Sequence, residues 1–145
     1  AWVANIVAAV VKASRPPVLV AHSLGCIAVS HAGQKLPRGL VAGAFLVAPA
    51  DVDNAARWPV TEGYTFSRDH GGFAPLPRLP LPFPATLVAS HDDPFCAFER
   101  ARELADGWGA AFVDGGASGH INVASGHGPW PEGLLRFGSF LKGLG

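Results

Sequence analysis

The chain has 145 residues, enough for a sizeable hydrophobic core, and we predict a single domain over residues 1–145. Hydrophobic residues make up 49% and charged residues 15% of the chain, which excludes an intrinsically disordered protein. The 11 Lys and Arg residues balance the 11 Asp and Glu residues and form no basic stripe, so a nucleic acid is not expected as a partner.

The two cysteines bear on the cellular compartment. Cys26 and Cys96 form no CxxC pair and are too few for a disulfide framework, so we expect reduced thiols and a cytoplasmic protein. No apolar run is long enough to span a membrane, and no basic residues precede the apolar start, which argues against a signal peptide. Because the sequence contains no methionine, we expect a processed chain or a piece of a longer protein.

Taken in chain order, the predicted elements alternate between helices and short apolar strands. A helix over residues 1–14 ends before the prolines at 16 and 17, and a buried strand follows over residues 18–21. Further along, we predict helices over 23–35, 96–108 and 131–144, and strands over 40–48, 85–90 and 110–113. This alternation predicts an α/β fold with three layers, in which helices cover both faces of a mostly parallel sheet.

The sequence leaves the role of residues 51–84 open. Prolines at 75, 77, 80, 82 and 84 prevent regular sheet pairing, so we expect a long ordered excursion. It either serves function or lies against the core. Four aromatic residues either line an apolar pocket or belong to the core, and they are Trp58, Phe66, Phe73 and Trp130. The last helix is predicted to face the core through Leu134, Leu135, Phe137 and Phe140.

A serine stands between the second predicted helix and the strand before it, in the segment Ala21-His22-Ser23-Leu24-Gly25. The pattern is that of the GxSxG nucleophile elbow with alanine in place of the first glycine. The serine of such an elbow is exposed at the carboxyl end of a parallel sheet. The alternative is that Ser23 is an ordinary helix N-cap.

A serine nucleophile needs a base, and the base needs an acid that orients it. In this fold class the expected order along the chain is serine, acid, histidine. Asp92 and Asp93 follow the third predicted strand, and His120 follows the fourth. Because Pro94 keeps the residue before it out of helical geometry, we favour Asp93 as the acid and keep Asp92 as the second choice. His127 is a weaker alternative to His120 as the base.

The two neighbours of Ser23 have different expected roles. The backbone N–H of Leu24, the residue after the nucleophile, is expected to donate a hydrogen bond to the oxyanion. His22 is expected to be a packed or hydrogen-bonded structural histidine whose side chain points away from Ser23.

The segments VLVAHSLGC, ASHDDPF, and SGHIN followed by SGHGPWPEG together resemble the small bacterial serine hydrolases of the α/β-hydrolase superfamily. These proteins are relatives of the retinoblastoma-binding-protein-like serine hydrolases. The resemblance implies Ser23 as nucleophile, Asp93 as acid and His120 as base. It also implies a compact, cytosolic hydrolase of esters that needs no cofactor. We expect no metal site.

Two departures from that family bear on the prediction. Its members carry a further N-terminal strand and a loop rich in glycine and tryptophan before the position of Trp2, and this part supplies the second oxyanion donor. We therefore expect an N-terminally truncated α/β-hydrolase fold. The retinoblastoma-binding motif LxCxE is not met at residues 24–28, where Ala28 replaces the glutamate, so no pocket-protein partner is expected.

Three functional hypotheses follow. The first is a serine hydrolase, a carboxylesterase-like enzyme that cleaves small-molecule esters through an acyl-enzyme at Ser23. The second is metal-assisted hydrolysis, for which the candidate ligands are His91, Asp92, Asp93 and His120. The third is an inactive hydrolase-like scaffold or fragment that binds a partner or ligand.

Overall fold

The computed structural model describes residues 2–59, 73–122, 125–126 and 130–144. Within these ranges, strands β1 to β4 form a single sheet in the order β1-β2-β3-β4, and every pair of neighbours is parallel. The elements are α1 (Trp2–Lys12), β1 (Val18–Ser23), α2 (Leu24–Gly33), β2 (Gly43–Pro49), a 3₁₀ helix (Val52–Arg57), β3 (Ala85–Ala89), α3 (Phe98–Trp108), β4 (Ala111–Asp114) and α4 (Pro131–Leu144).

The two faces of the sheet are covered by different helices. Successive side chains of a strand point to opposite faces, and β2 is buried along its whole length. Its Leu46 belongs to a core cluster shared with α1, α2 and α3, whereas Phe45 belongs to a second cluster that includes Phe137 and Phe140 of α4. Helices therefore lie on both faces, and the predicted three-layer α/β architecture is confirmed.

The bounds of helix α4 match the prediction, but the face that it turns to the core matches only in part. Phe137 and Phe140 pack against the core, as predicted, but the side chains of Leu134 and Leu135 are 71% and 74% exposed, so that part of the prediction was wrong. The helix approaches the start of β2 through Phe140 and Leu144 at Gly43. Gly133 is buried, and Phe137, Phe140 and Leu144 are partly buried, so α4 contacts the core along a narrow stripe that excludes Leu134 and Leu135.

Element boundaries also differ from the prediction by a few residues. Strand β1 continues through Ser23 rather than ending at residue 21, and β2 begins at Gly43 rather than at residue 40. Helix α3 begins at Phe98 rather than at residue 96. The extension of β1 matters for function, because it makes Ser23 the last residue of the strand and Leu24 the first residue of α2.

The proline-rich part of the excursion lies against the core. Leu76, Leu81 and Phe83 are buried among residues of α2 and α3. Trp108 Nε1 of α3 donates a hydrogen bond to the carbonyl of Pro77 at 2.7 Å, and Leu81 N donates to the carbonyl of Trp108 at 2.9 Å. For residues 73–84, the interpretation as a connector against the core is therefore the better one.

The aromatic residues that were predicted either to line a pocket or to belong to the core lie mainly against the core. Trp58 and Phe73 pack against the first core cluster and Trp130 against the second, whereas Phe66 lies outside the described residues. Both cysteines are buried free thiols. Among the described segments, no helix is long and apolar enough to cross a membrane.

Candidate active site

Ser23 occupies a strained turn between β1 and α2. Its φ of 58° and ψ of −123° lie in a region that residues with a side chain rarely adopt, and the pairing of β1 with β2 shifts register between His22 and Ser23. Ser23 stands at the N-cap position of α2, but its hydroxyl caps no backbone N–H, so the N-cap interpretation does not account for it. The geometry is that of a nucleophile elbow.

Small residues around Ser23 make this turn possible. A Cβ built on Gly25 would lie 3.5 Å from the Cβ of Ala21, which is ordinary van der Waals contact. The two positions that flank the serine in the AxSxG pattern therefore pack directly against each other. Alanine is accommodated at the first of them, whereas larger side chains at both would crowd the turn.

The sheet brings His120 to Ser23, from a loop 97 residues further along the chain. His120 Nε2 lies 2.8 Å from Ser23 Oγ, and His120 Nδ1 lies 3.0 Å from both carboxylate oxygens of Asp93. Because an ionised carboxylate only accepts hydrogen bonds, Nδ1 carries the hydrogen, and Nε2 of the neutral ring accepts from the Ser23 hydroxyl. The side chains of His120 and Asp93 are 7% and 3% exposed, so water is largely excluded from this pair.

Asp93 and Asp92 follow the same strand, but the structure gives them different partners. Asp93 Oδ1 accepts a hydrogen bond from Phe95 N at 2.8 Å, which holds the carboxylate towards His120. Asp92 Oδ1 instead accepts from Ser90 Oγ and from Gly119 N, each at 2.7 Å. The hydrogen bond from Ser90, followed by that from Gly119, lowers the pKa of the Asp92 carboxyl. Asp93, and not Asp92, is therefore the carboxylate at His120.

Asp92 and the fully buried Ser90 connect the acid loop to the loop that carries His120. Besides donating to Asp92, Ser90 Oγ accepts a hydrogen bond from Ser118 N at 2.9 Å. With the bond from Gly119 N to Asp92, two consecutive backbone amides just before His120 are tied to the end of β3. This network was not predicted from the sequence. A buried serine at the end of a strand, close to an aspartate, is the signal that could have revealed it.

His22 contacts the candidate base from the side of the elbow. Its Nε2 lies 2.8 Å from the backbone carbonyl oxygen of His120, and the two imidazole rings are 4.9 Å apart between centroids. This contact agrees with the prediction that His22 is a hydrogen-bonded histidine, although the sequence did not reveal its partner. His127, the weaker candidate base, lies outside the described residues.

Phe95 and Trp58 form an aromatic wall next to His120. The ring of Phe95 lies 4.4 Å from the His120 ring, and Trp58 packs edge-on against Phe95 at 5.5 Å. A cavity of about 180 Å³ borders this wall, lined by polar residues that include Asn54, Arg57 and Arg100. The cavity thus shares Phe95 with the surroundings of His120, but Ser23, Asp93 and His120 do not line it.

Arg100 fixes one side of that cavity. Its Nη2 lies 3.0 Å from Asp53 Oδ2, and its Nε lies 3.3 Å from Asp51 Oδ2. Burial opposes the positive charge of Arg100, but Asp51, Glu103 and Asp53 outweigh it and raise the pKa of the guanidinium. Asp53 also accepts a hydrogen bond from Leu76 N at 3.1 Å. Arg100 therefore ties α3 to the 3₁₀ helix and, through Asp53, to the proline-rich segment.

The backbone at the start of α2 can serve as a hydrogen-bond donor. Leu24 is the first residue of this helix, and the first N–H groups of an α-helix have no acceptor within the helix. The positive end of the helix dipole lies at the same place. The amide of Leu24 is thus placed beside Ser23 in a setting that favours a developing negative charge.

The residues of the metal hypothesis are not gathered into a ligand set. His91 is paired with Asp114, its Nε2 2.7 Å from Asp114 Oδ2, and its ring stacks on Phe98. Across the described part of the chain, no group of three or more His, Cys, Asp or Glu side chains is arranged to hold a metal ion.

The chain is similar to known hydrolases in sequence and in overall structure. The family model described as Serine hydrolase matches residues 1–139. A solved structure from Pectobacterium atrosepticum, described as a YdeN-like hydrolase, is 35% identical with a TM-score of 0.76, and the match covers 99% of this chain and 69% of that one. No curated protein matches the sequence.

More distant structures share the fold. The protein described as non-haem bromoperoxidase BpoC of Mycobacterium tuberculosis is 17% identical with a TM-score of 0.68, covering 99% of this chain and 73% of that one. A structure from Xanthomonas campestris, described as a hydrolase of the α/β superfamily, is 15% identical with a TM-score of 0.62. The match covers 97% of this chain and 67% of that one.

The sheet topology and the similar structures together define an α/β-hydrolase fold. The family model spans nearly the whole chain and the Pectobacterium structure is a relative at 35% identity, so the chain belongs to the serine hydrolase family. The resemblance inferred from the sequence is thereby confirmed.

Proposed function

We propose that the chain hydrolyses small carboxylic esters through an acyl-enzyme on Ser23, with Asp93 and His120 completing a catalytic triad. The observation that carries the proposal is the continuous hydrogen-bonded series from Ser23 Oγ to His120 Nε2, at 2.8 Å, and from His120 Nδ1 to Asp93, at 3.0 Å. Nucleophile, base and orienting acid are within hydrogen-bonding distance and need no rearrangement.

In the first half of the reaction, His120 Nε2 takes the Ser23 proton while Oγ attacks the ester carbonyl carbon. The carbonyl oxygen becomes an oxyanion, and the backbone N–H of Leu24 donates a hydrogen bond to it. The intermediate collapses with cleavage of the bond to the alkoxide, which receives the proton from the His120 imidazolium. The alcohol leaves, and the acyl group remains on Ser23.

In the second half, His120 takes a proton from water, and the hydroxide attacks the acyl carbonyl. A second tetrahedral intermediate collapses with cleavage of the bond to Ser23 Oγ, which recovers its proton from His120, and the carboxylic acid is released. Asp93 stays ionised throughout. It holds the ring with Nδ1 protonated and stabilises the positive charge that forms on His120 in each half-reaction.

A small substrate fits the surroundings of His120. Phe95 covers one side of the imidazole ring and Trp58 supports Phe95, which narrows the space beside the base. This limited room beside His120 supports short acyl or alcohol groups rather than long chains.

The test is the hydrolysis of p-nitrophenyl acetate by the wild type and by Ser23→Ala. We expect kcat/KM of the variant to fall by at least about a thousandfold, because the nucleophile is gone and only residual effects of the site remain. Ser14→Ala, at an exposed serine outside the site, is the matched control and should retain full activity. Equal turnover by wild type and Ser23→Ala, with both folded by circular dichroism, would refute the proposal.

A further inference from the structure

We propose that His22 is a positioning residue for the candidate base His120, acting on its backbone rather than on its ring. The inference rests on the proposed function, since it assigns a role in the same reaction. It concerns a residue that stands outside the triad and contacts neither the Ser23 hydroxyl nor the Asp93 carboxylate in the hydrogen-bond network described above.

The contact between the two residues has a defined direction. The carbonyl oxygen of His120 can only accept, so His22 Nε2 at 2.8 Å carries the hydrogen and donates it. Residues 22 and 23 are consecutive, and His22 lies in β1 directly before the elbow. The same strand end that presents Ser23 therefore also holds the backbone of His120, which couples the position of the base to that of the nucleophile.

The bonded carbonyl belongs to a peptide whose orientation is unusual. It links His120 to Ile121, and Ile121 has a φ of 50°, a conformation that β-branched residues strongly disfavour. Such strained backbone persists only where its surroundings fix it. Ile121 N donates to the carbonyl of Ser118 at 3.1 Å, and His22 holds the carbonyl side of the same peptide. His22 thus helps to keep the peptide after His120 in its strained orientation.

Three further contacts locate His120, and each acts at a different point. Asp93 holds the ring through Nδ1, whereas Ser90 and Asp92 hold the amides of Ser118 and Gly119, which precede His120. None of these three bonds reaches the peptide that follows His120, which is held through Ile121 N on one side and by His22 at its carbonyl oxygen on the other. Loss of the His22 bond should therefore let the ring tilt relative to Ser23 Oγ, and a small displacement at a base reduces the rate of proton transfer.

The experiment measures the second-order rate of labelling by a fluorophosphonate for the wild type, His22→Leu and His22→Gln. The amide nitrogen of glutamine lies near the position of Nε2 and can donate in its place, whereas leucine cannot. We expect His22→Leu to label about tenfold more slowly and His22→Gln to stay within about twofold of the wild type. With an ester substrate, kcat should fall in His22→Leu while KM stays unchanged.

The outcomes separate this inference from the proposed function. A wild type that labels at the same rate as His22→Leu would overturn the role of His22 and leave the triad intact. Equal slowing in His22→Leu and His22→Gln would also overturn it, because the donor would then be irrelevant. A wild type that is not labelled at all would overturn the proposed function and this inference with it.

Discussion

His120 Nδ1 lies 3.0 Å from Oδ1 and 3.0 Å from Oδ2 of Asp93, so the carboxylate faces the imidazole with both oxygens. The two residues are 27 positions apart and come from the loops after β3 and β4. Because both side chains are almost fully buried, their interaction is weakly screened by water. Asp93 is therefore well placed to fix the tautomer of His120.

The first prediction compares two adjacent aspartates. Asp93→Asn should lower kcat/KM for ester hydrolysis by roughly 10³- to 10⁴-fold, because an amide donor at this position favours the wrong tautomer of His120. Asp92→Asn is the matched control. Its Oδ1 still accepts from Ser90 and Gly119, so its activity should remain within roughly twofold of the wild type. A larger loss in Asp92→Asn than in Asp93→Asn would contradict the assignment of the acid.

The second prediction concerns backbone strain at the elbow. Ser23 has a φ of 58° and a ψ of −123°, which glycine adopts far more readily than a residue with a Cβ. Ser23→Gly should therefore be more stable to urea unfolding than Ser23→Ala by about 1 kcal/mol, with both variants inactive. The comparison cancels the loss of the hydroxyl. If the alanine variant were the more stable of the two, the elbow geometry would be wrong.

The third prediction concerns the two thiols. Burial, offset only in part by hydrogen bonds to the backbone, raises the pKa of Cys26 to about 12. Burial, with Asp51 and Asp93 nearby, also raises the pKa of Cys96. Neither thiol should react with Ellman's reagent in the native protein at mildly alkaline pH, because thiolate is scarce and access is closed. Both should react after unfolding in guanidinium chloride, and fast reaction of either in the native state would contradict the packing.

The fourth prediction tests how α4 is seated. A Cβ on Gly43 of β2 would lie 2.9 Å from Phe140 Cζ and 3.0 Å from both terminal methyl groups of Leu144. The ends of the Phe140 and Leu144 side chains must then shift, so Gly43→Ala should destabilise the protein by no more than about 1 kcal/mol in urea titrations followed by tryptophan fluorescence. Gly138 lies in α4, and a Cβ added to it would have no atom within 4 Å. Gly138→Ala should therefore stabilise the protein by about 0.5–1 kcal/mol. Equal effects at both positions would show that α4 packs elsewhere.

The layered architecture was predictable because it depends on local patterns. Buried parallel strands are continuous apolar runs, and each run in the sequence became a strand within a few residues of its expected bounds. The convergence of Ser23, Asp93 and His120 was predictable for a related reason. Side chains that follow parallel strands lie at one edge of the sheet, and the expected order of a serine, an acid and a histidine was present.

Other features depend on contacts between distant residues and left no local signal. Leu134 and Leu135 fit a helical apolar pattern as well as Phe137 does, but α4 turns Phe137 to the core and leaves the two leucines exposed. The bond from His22 to the carbonyl of His120 spans 98 residues and involves a backbone acceptor, which no side-chain motif records. Likewise, the loop geometry decides that neighbouring Asp92 and Asp93 have different hydrogen-bond partners.

The most direct test of the central claim is to locate the adduct formed by a fluorophosphonate probe, using peptide mass spectrometry. The probe reacts with a serine only when a neighbouring base activates it. We expect one modified peptide, carrying the adduct on Ser23, and no modification in His120→Ala although Ser23 is still present. An adduct on another serine, or undiminished labelling of Ser23 in His120→Ala, would contradict the assignment of Ser23 and His120 as nucleophile and base.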